Sequence, residues 1–188
     1  MRRLIRAFDA LLRRRLEVYD FSPSPRALLR VQRSRARRRE PLGTGWIEPG
    51  QEILDLHMWN EHVPPLPAAG PDVRWAVQVE RMFVTSLHEL ARAVGRDPAY
   101  RDVRAVRAVT VLLTPGAGSG LHLAQRLGFE VRPHRNPLGR FGEFWENFYT
   151  WWLMWTYNVV SVRRRPMVDL RRMEMWMEAD EFVRRYGG

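Results

Sequence analysis

The sequence predicts a single α+β domain, residues 1–188, with a mixed, mostly antiparallel sheet flanked by helices and an N-terminal amphipathic helix ahead of it. Three observations support this fold class. A chain of 188 residues is the size of one domain and can bury a core. Hydrophobic residues make up 45% and charged residues 28%, which is a globular rather than a disordered composition. Segments with strand and helix patterns follow one another in a mixed order.

The N-terminal segment, residues 1–20, predicts a basic amphipathic helix. Its apolar residues recur at the spacing of one helix face: Leu4, Ile5, Phe8, Leu11, Leu12 and Leu16. The opposite face is basic, with Arg2, Arg3, Arg6, Arg13, Arg14 and Arg15. Two prolines, Pro23 and Pro25, follow the segment and end the helix.

The positive charge is concentrated at this end of the chain. Residues 1–40 hold 13 arginines and four acidic residues, whereas residues 41–188 hold 18 arginines and 17 acidic residues. Nearly all of the net charge of +10 therefore lies in the first fifth of the chain. Such asymmetry predicts an anionic partner, either a membrane surface or an acidic protein, with the six arginines of the N-terminal helix as the contacts.

Other partners are less favoured. The helix has the composition of helices that lie on anionic lipid, although it would equally suit a helix packed on its own domain. Nucleic acid is disfavoured, because the arginine tract at 33–39 has no recognised nucleic-acid motif beside it. The longest apolar stretch, 148–162, is shorter than the roughly 20 residues that span a bilayer. We expect a cytoplasmic protein, docked at the inner face of the membrane where it meets lipid.

The first strands of the core, which is predicted to span 27–186, lie between residues 27 and 60. Residues 27–38 alternate in part and predict a strand with a basic outer face. Residues 44–47 predict a short strand between glycine turns. Residues 52–60 predict a longer strand with bulky side chains on both faces, which places it in the interior of the sheet.

The remaining elements follow from apolar spacing and from turn residues. A long helix is predicted from Asp72, a good N-cap, to Gly95. Five shorter elements come after it: a buried strand at 105–114, a helix at 121–127, a strand at 129–133, a strand at 168–177 and a closing helix at 179–186. The glycine-rich turn at 114–120 could cradle a phosphate, but it lacks the established spacings and is better explained as a flexible turn with Ser119 capping the next helix.

An aromatic helix is predicted at 141–157, with a stripe of large rings at helical spacing: Phe141, Trp145, Phe148, Trp152 and Trp155. Such a stripe could form a platform for carbohydrate or lipid. Stripes of this kind more often pack in a core, and we expect core packing with a partly exposed edge.

The candidate functional residues cluster where the strand at 52–60 meets its loop: Asp55, His57, Trp59, Asn60, Glu61 and His62. Strand ends of this kind often carry binding sites. His57 could act as a general base oriented by a carboxylate. A metal site using both histidines is a second interpretation, and a polar strand end that satisfies loop backbone is a third. We expect no bound metal and no cofactor.

Two stretches resemble the YkoP-like domain family. The segment from Gly50 through His57 to Asn60, followed by Val63-Pro64, resembles its G-D-x-I-x-x-L-H-x-x-N-x-x-x-P motif, and the stretches at 123–131 and 171–177 with Tyr186 resemble its C-terminal half. Because some members are similar to domains attached to polysaccharide deacetylases, the resemblance implies a fold and a loose association with the cell envelope, with a glycan or small molecule as a conceivable ligand.

The block Leu127-Gly128-Phe129 is also similar to the late part of the GNAT acetyltransferase fold, so the resemblance implies a GNAT-like core. Active GNAT enzymes hold the cofactor pyrophosphate on backbone amides of an R/Q-x-x-G-x-G/A loop ahead of their long helix. Residues 63–71 of this chain are rich in proline, which has no amide donor. We therefore expect a non-catalytic accessory or binding domain. The alternative is a GNAT-like acyltransferase or other small-molecule enzyme with a pocket around His57 and Asn60.

Overall fold

The computed structural model describes residues 15, 17–59, 61–67, 69–70, 72–111, 119–157 and 172–188. The predicted N-terminal helix lies outside these residues except for Arg15, which is exposed and helical, and Glu17–Asp20. Arg2, Arg3, Arg6, Arg13, Arg14 and Asn60 also lie outside them, as do most of the glycine-rich turn and residues 158–171.

The described residues form seven strands and four α-helices. The strands are β1 (Leu29–Arg35), β2 (Glu40–Leu42), β3 (Gly45–Ile47), β4 (Glu52–Met58), β5 (Val103–Thr110), β6 (Glu130–Pro133) and β7 (Met173–Glu178). The helices are α1 (Val73–Arg96), α2 (Ser119–Arg126), α3 (Gly139–Tyr157) and α4 (Ala179–Tyr186). The predicted α+β class is confirmed. β2 was not predicted, since three residues that include Pro41 show no alternation.

Five strands form one sheet in the order β1-β4-β5-β7-β6. The β4–β5 pair is parallel and the other three pairs are antiparallel, which confirms a mixed, mostly antiparallel sheet. Parallel neighbours need a crossover connection, and α1 supplies it between β4 and β5. β4 lies between two strands, as its two bulky faces predicted. β2 and β3 form a separate hairpin whose turn includes Gly43 at φ 57°.

One face of the sheet is apolar and packs against α1, α2 and α4. Its strand residues include Leu54, Val106 and Met177, which meet Leu90 of α1 and Phe182 of α4 in a single buried cluster. Burial of these side chains removes apolar area from water and is the main stabilising contribution to the domain.

α1 begins and packs as its sequence predicted. The Asp72 carboxylate accepts a hydrogen bond from the Trp75 backbone N–H at 2.7 Å and caps the helix. Leu87 and Leu90 of the predicted stripe are fully buried. The hydroxyl of Ser86 accepts a hydrogen bond from the Leu28 N–H at 2.8 Å and so joins the start of β1 to this helix.

The aromatic helix α3 does not pack as predicted. No described member of its stripe is fully buried, and Phe141 and Trp145 are 68% and 53% exposed. The expectation of core packing is therefore wrong for the first two turns of α3. None of the helices in the described residues combines the length and the apolarity needed to cross a bilayer.

Candidate functional site

The second face of the sheet carries most of the ionisable strand residues, and we call it the polar face. Strand pairing aligns one row across all five strands: Gln32, Asp55, Arg107, Trp176 and Glu130 are successive register partners. Because paired residues on neighbouring strands point to the same side, these side chains share one surface. His57 and Glu174, two residues from this row on β4 and β7, lie on the same face.

Asp55 and Arg107 form a buried ion pair at the centre of the polar face. Arg107 donates two hydrogen bonds to the carboxylate, from Nε to Oδ1 at 2.5 Å and from Nη2 to Oδ2 at 2.9 Å. The Ser34 hydroxyl donates a third to Oδ2 at 2.6 Å. Both carboxylate oxygens are thus occupied inside the protein, and Asp55 is only 9% exposed.

His57 is bound to an amide rather than to a carboxylate. Its Nε2 lies 3.0 Å from Gln32 Oε1, and since that oxygen can only accept, Nε2 carries the proton. Burial lowers the pKa of His57 below its ordinary value of 6.5; Asp55 opposes this shift and Arg107 adds to it. His57 is therefore a neutral imidazole at pH 7. In the described residues no hydrogen bond joins His57 to Asp55, so the orienting carboxylate of the general-base hypothesis is bound to Arg107 instead.

The other three described candidates form a separate cluster at the end of β4. Trp59 and His62 stack with ring centroids 3.7 Å apart, and the Arg30 guanidinium lies 4.0 Å from the Trp59 ring. His62 Nδ1 donates a hydrogen bond to the Ala27 carbonyl at 2.8 Å. Arg30 also pairs with Glu61 at 3.5 Å. These contacts are those of a polar strand end that satisfies nearby backbone, the third interpretation above.

A second ionic cluster on the polar face was not predicted. His134, directly after β6, donates from Nδ1 to Glu174 Oε1 at 2.7 Å, and its Nε2 lies 3.4 Å from Glu146 Oε2 of α3. Glu146 and Glu174 together raise the pKa of His134 to about 9, so this imidazole is charged at neutral pH. Arg172 completes the cluster at 3.2 Å from Glu146. This cluster connects α3 to β6 and β7.

Trp176 and the β2–β3 hairpin cover part of the polar face. The Trp176 indole N–H donates to Glu174 Oε2 at 2.9 Å. The ring is 1% exposed and belongs to a small apolar cluster with Leu42 and Ile47 of the hairpin. The hairpin therefore keeps water away from this end of the face, which strengthens the ion pairs beneath it.

The basic tract that follows residue 27 is largely neutralised within the domain. Four of its arginines form ion pairs with acidic side chains: Arg30 with Asp20 and Glu61, Arg33 with Glu52, Arg38 with Glu40, and Arg39 with Glu48. Arg35 donates to the Gly50 carbonyl at 2.9 Å. Five of the six arginines at 27–40 thus have an ion-pair or hydrogen-bond partner within the described residues.

Some of the missed residues left a signal in the sequence. Arg107 interrupts a run of β-branched and small residues in β5, and a charge in an interior strand needs a buried partner. Period-two alternation does predict that Asp55 and His57 lie on one face of their strand. Nothing local in the sequence indicates that His134 meets Glu146, because the two lie on different elements.

The described residues contain no group of three His, Asp or Glu side chains arranged to hold a metal ion. A cleft of about 260 Å³ lies instead beside the hairpin, lined by Trp46, Gln51 and Glu178 among others. Its volume is below the roughly 300 Å³ at which small-molecule pockets usually begin.

Comparison with known proteins gives one match. The family model for the YkoP domain matches residues 13–186, nearly the whole chain. No curated protein and no solved structure matches the chain. The GNAT-like character of the core therefore stays a prediction.

Proposed function

This chain belongs to the YkoP domain family, and we propose that it is a non-catalytic binding domain that docks on an anionic membrane surface through its arginine-rich N-terminal segment. The observation that carries the proposal is the distribution of charge along the chain. Four of the six arginines at 27–40 form ion pairs with acidic side chains within the domain. Residues 1–26 keep seven arginines against three acidic residues.

The composition of that segment favours lipid over an acidic protein. In the predicted helix most of its arginines lie opposite a stripe of leucine, isoleucine and phenylalanine. Two favourable contributions bind a helix of this kind to a bilayer: its apolar face enters the acyl boundary, and its cations contact anionic headgroups. Membrane docking also accounts for the association with the cell envelope that the family resemblance implies, with lipid rather than polysaccharide as the component that the domain binds.

The paired state of the polar face supports a non-catalytic role. A general base must have access to the proton that it abstracts. Asp55 is bound by Arg107 and Ser34, while His62 is bound to the Ala27 carbonyl. These groups stabilise the fold through contacts that a substrate would have to break.

The entrance to α1 argues against the acyltransferase alternative. The Asp72 carboxylate already accepts from the first-turn amide of Trp75. An anionic cap at this position repels a pyrophosphate, and the prolines at 64, 65 and 67 contribute no amide donors. Thermal unfolding with saturating acetyl-CoA tests this step: we expect an unchanged midpoint, and a raised midpoint would favour the enzyme.

Vesicle co-sedimentation tests the docking itself. Wild-type protein should bind phosphatidylcholine vesicles that contain phosphatidylserine more tightly than vesicles of phosphatidylcholine alone, and the difference should shrink as salt rises. Replacing Arg2, Arg3, Arg6, Arg13, Arg14 and Arg15 with glutamine should lower the partition coefficient on anionic vesicles by about four orders of magnitude at low salt, at about 1 kcal/mol per arginine.

A charge-matched control separates position from net charge. Glutamine at six exposed arginines elsewhere changes the net charge equally: Arg74, Arg81, Arg92, Arg96, Arg101 and Arg104. This variant should keep most of the binding. Equal losses in the two variants would reduce the effect to non-specific charge, and salt-insensitive absence of wild-type binding would refute membrane docking and leave an acidic protein as the partner to test.

A further inference from the structure

Most surface helices pack their apolar side on the protein and expose their polar side to water. In the described part of α3 the two sides are reversed. Gly142, Glu146 and Thr150 are spaced by four residues and so lie on one side of the helix. That side meets the protein: Glu146 pairs with His134 and Arg172, and the Thr150 hydroxyl accepts a hydrogen bond from Arg172 at 2.7 Å. Its polar side is thus turned inward onto charged partners.

The opposite side of its first turns forms an exposed aromatic patch, which we define as Leu138, Phe141, Phe144 and Trp145. Their exposed fractions are 70%, 68%, 49% and 53%. Contiguous exposure of four large apolar side chains costs free energy in water and commonly marks an interaction surface. The three rings lie close together, with centroid distances of 6.3 Å from Phe141 to Trp145 and 5.5 Å from Phe144 to Trp145.

The patch is held in place by the loop before α3. The Asn136 side-chain oxygen accepts a hydrogen bond from the Leu138 N–H at 2.8 Å, and the Asn136 backbone carbonyl accepts one from the Gly139 N–H at 3.0 Å. A Cβ at Gly142 would overlap the Asn136 amide, so glycine permits this close approach. The aromatic side of α3 therefore cannot roll toward the sheet without breaking these contacts and the ion pairs of Glu146.

We propose that the aromatic patch is a second membrane-docking surface, which inserts into the interfacial region of the anionic bilayer that the N-terminal segment contacts. This inference rests on the proposed function. Tryptophan and phenylalanine are enriched in segments that bind at the membrane–water interface. Arg135 and Arg140 flank the patch and are exposed, which places cations where anionic headgroups would lie.

The shape and position of the patch also fit a lipid surface. It stands on the outside of a helix, whereas small-molecule sites are concave. α3 follows β6 at one edge of the sheet, and Tyr19 pairs with Val31 of β1 at the other edge. Four strand spacings, about 19 Å, separate these edges. Two attachments to one bilayer raise the overall affinity above that of either alone.

The test compares four proteins on vesicles of phosphatidylcholine with phosphatidylserine, at about 0.1 M and about 0.5 M NaCl. They are the wild type, the patch variant Phe141→Ser/Trp145→Ser, the control Trp46→Ser/Val73→Ser, and the six-arginine variant described above. Trp46 and Val73 are 53% and 80% exposed, so the control removes comparable apolar surface elsewhere. Unchanged thermal midpoints should show that the serine variants fold.

The patch variant should lose about tenfold in partition coefficient at both salt concentrations, because apolar insertion is not screened by salt. The control should bind as the wild type does. Unaltered binding by the patch variant would overturn the proposal, as would a wild-type dimer in light scattering that the patch variant dissociates. A loss confined to the patch variant would refute N-terminal docking and keep the patch; a loss confined to the six-arginine variant would do the reverse.

Discussion

Removal of the His134 imidazole should destabilise the protein in a pH-dependent way. Glu146 and Glu174 raise the pKa of His134 from its ordinary value of 6.5 to about 9. That difference corresponds to about 3 kcal/mol of stabilisation of the folded state while the imidazole is charged. The His134 side chain is 10% exposed, but that of Glu146, 3.4 Å away, is 38% exposed, so solvent screening lowers this figure to about 2 kcal/mol.

The sign of the pH dependence follows from which state binds the proton more tightly. Here it is the folded state, because its pKa is the higher one. The contribution is therefore fully present below pH 6.5, falls as pH rises toward about 9, and is lost above it. Glutamine at this position can donate one hydrogen bond but carries no charge, so what remains of the difference between the two proteins should not depend on pH in this range.

Urea unfolding of the wild type and of His134→Gln measures the effect. With a slope of about 2 kcal/mol per molar urea, the gap between the two midpoints should be about 1 M wider at pH 6 than at pH 9.5. The control His122→Gln removes an exposed histidine of α2 and should show no such change. A gap of the same width at both pH values would refute the claim that the two carboxylates hold His134 in its charged form.

Two further predictions concern the centre of the polar face. Arg107→Met keeps the volume of the side chain but removes the two hydrogen bonds that Arg107 donates to the Asp55 carboxylate. The free energy of unfolding from urea titration should therefore fall by about 3 kcal/mol. A loss under about 1 kcal/mol would show that water replaces the guanidinium. His57→Gln should cost at most about 1 kcal/mol at pH 7.5. Because burial lowers the pKa of His57, the unfolded state binds its proton more tightly, and wild-type stability falls as pH drops below 6.5. The thermal midpoints of wild type and His57→Gln should therefore converge between pH 7.5 and pH 5.5, and parallel midpoints would show that His57 is not buried in neutral form.

The sequence by itself determined those parts of the protein that depend on local pattern. Apolar spacing of 3.6 residues and the Asp72 cap specify α1, because these interactions form within a single helix. Bulky residues on both sides of β4 placed it in the interior of the sheet, since an edge or half-exposed strand would show one polar face. The concentration of arginine in residues 1–40 is a property of composition, and it predicts an anionic partner independently of any tertiary contact.

Only the tertiary structure decided which charged side chains form ion pairs within the protein. The pairing of β4 with β5 sets Asp55 beside Arg107, 52 residues later, and so removes the carboxylate that His57 would need. In the same way β6, β7 and α3 bring His134, Glu174 and Glu146 together. Strand order and register govern such contacts, and they depend on the summed packing of the whole chain rather than on any short pattern.

The orientation of α3 is the clearest case of this division. Its aromatic stripe indicated a helix and, by the usual preference, a buried one. The stripe does not reveal that Glu146, on the other side of the helix, pairs with two cationic side chains. These are His134, directly after β6, and Arg172, directly before β7. The His134 and Arg172 side chains are only 10% and 11% exposed, and these cations would lose their contact with Glu146 if α3 turned its aromatic side inward, so the polar side faces the protein.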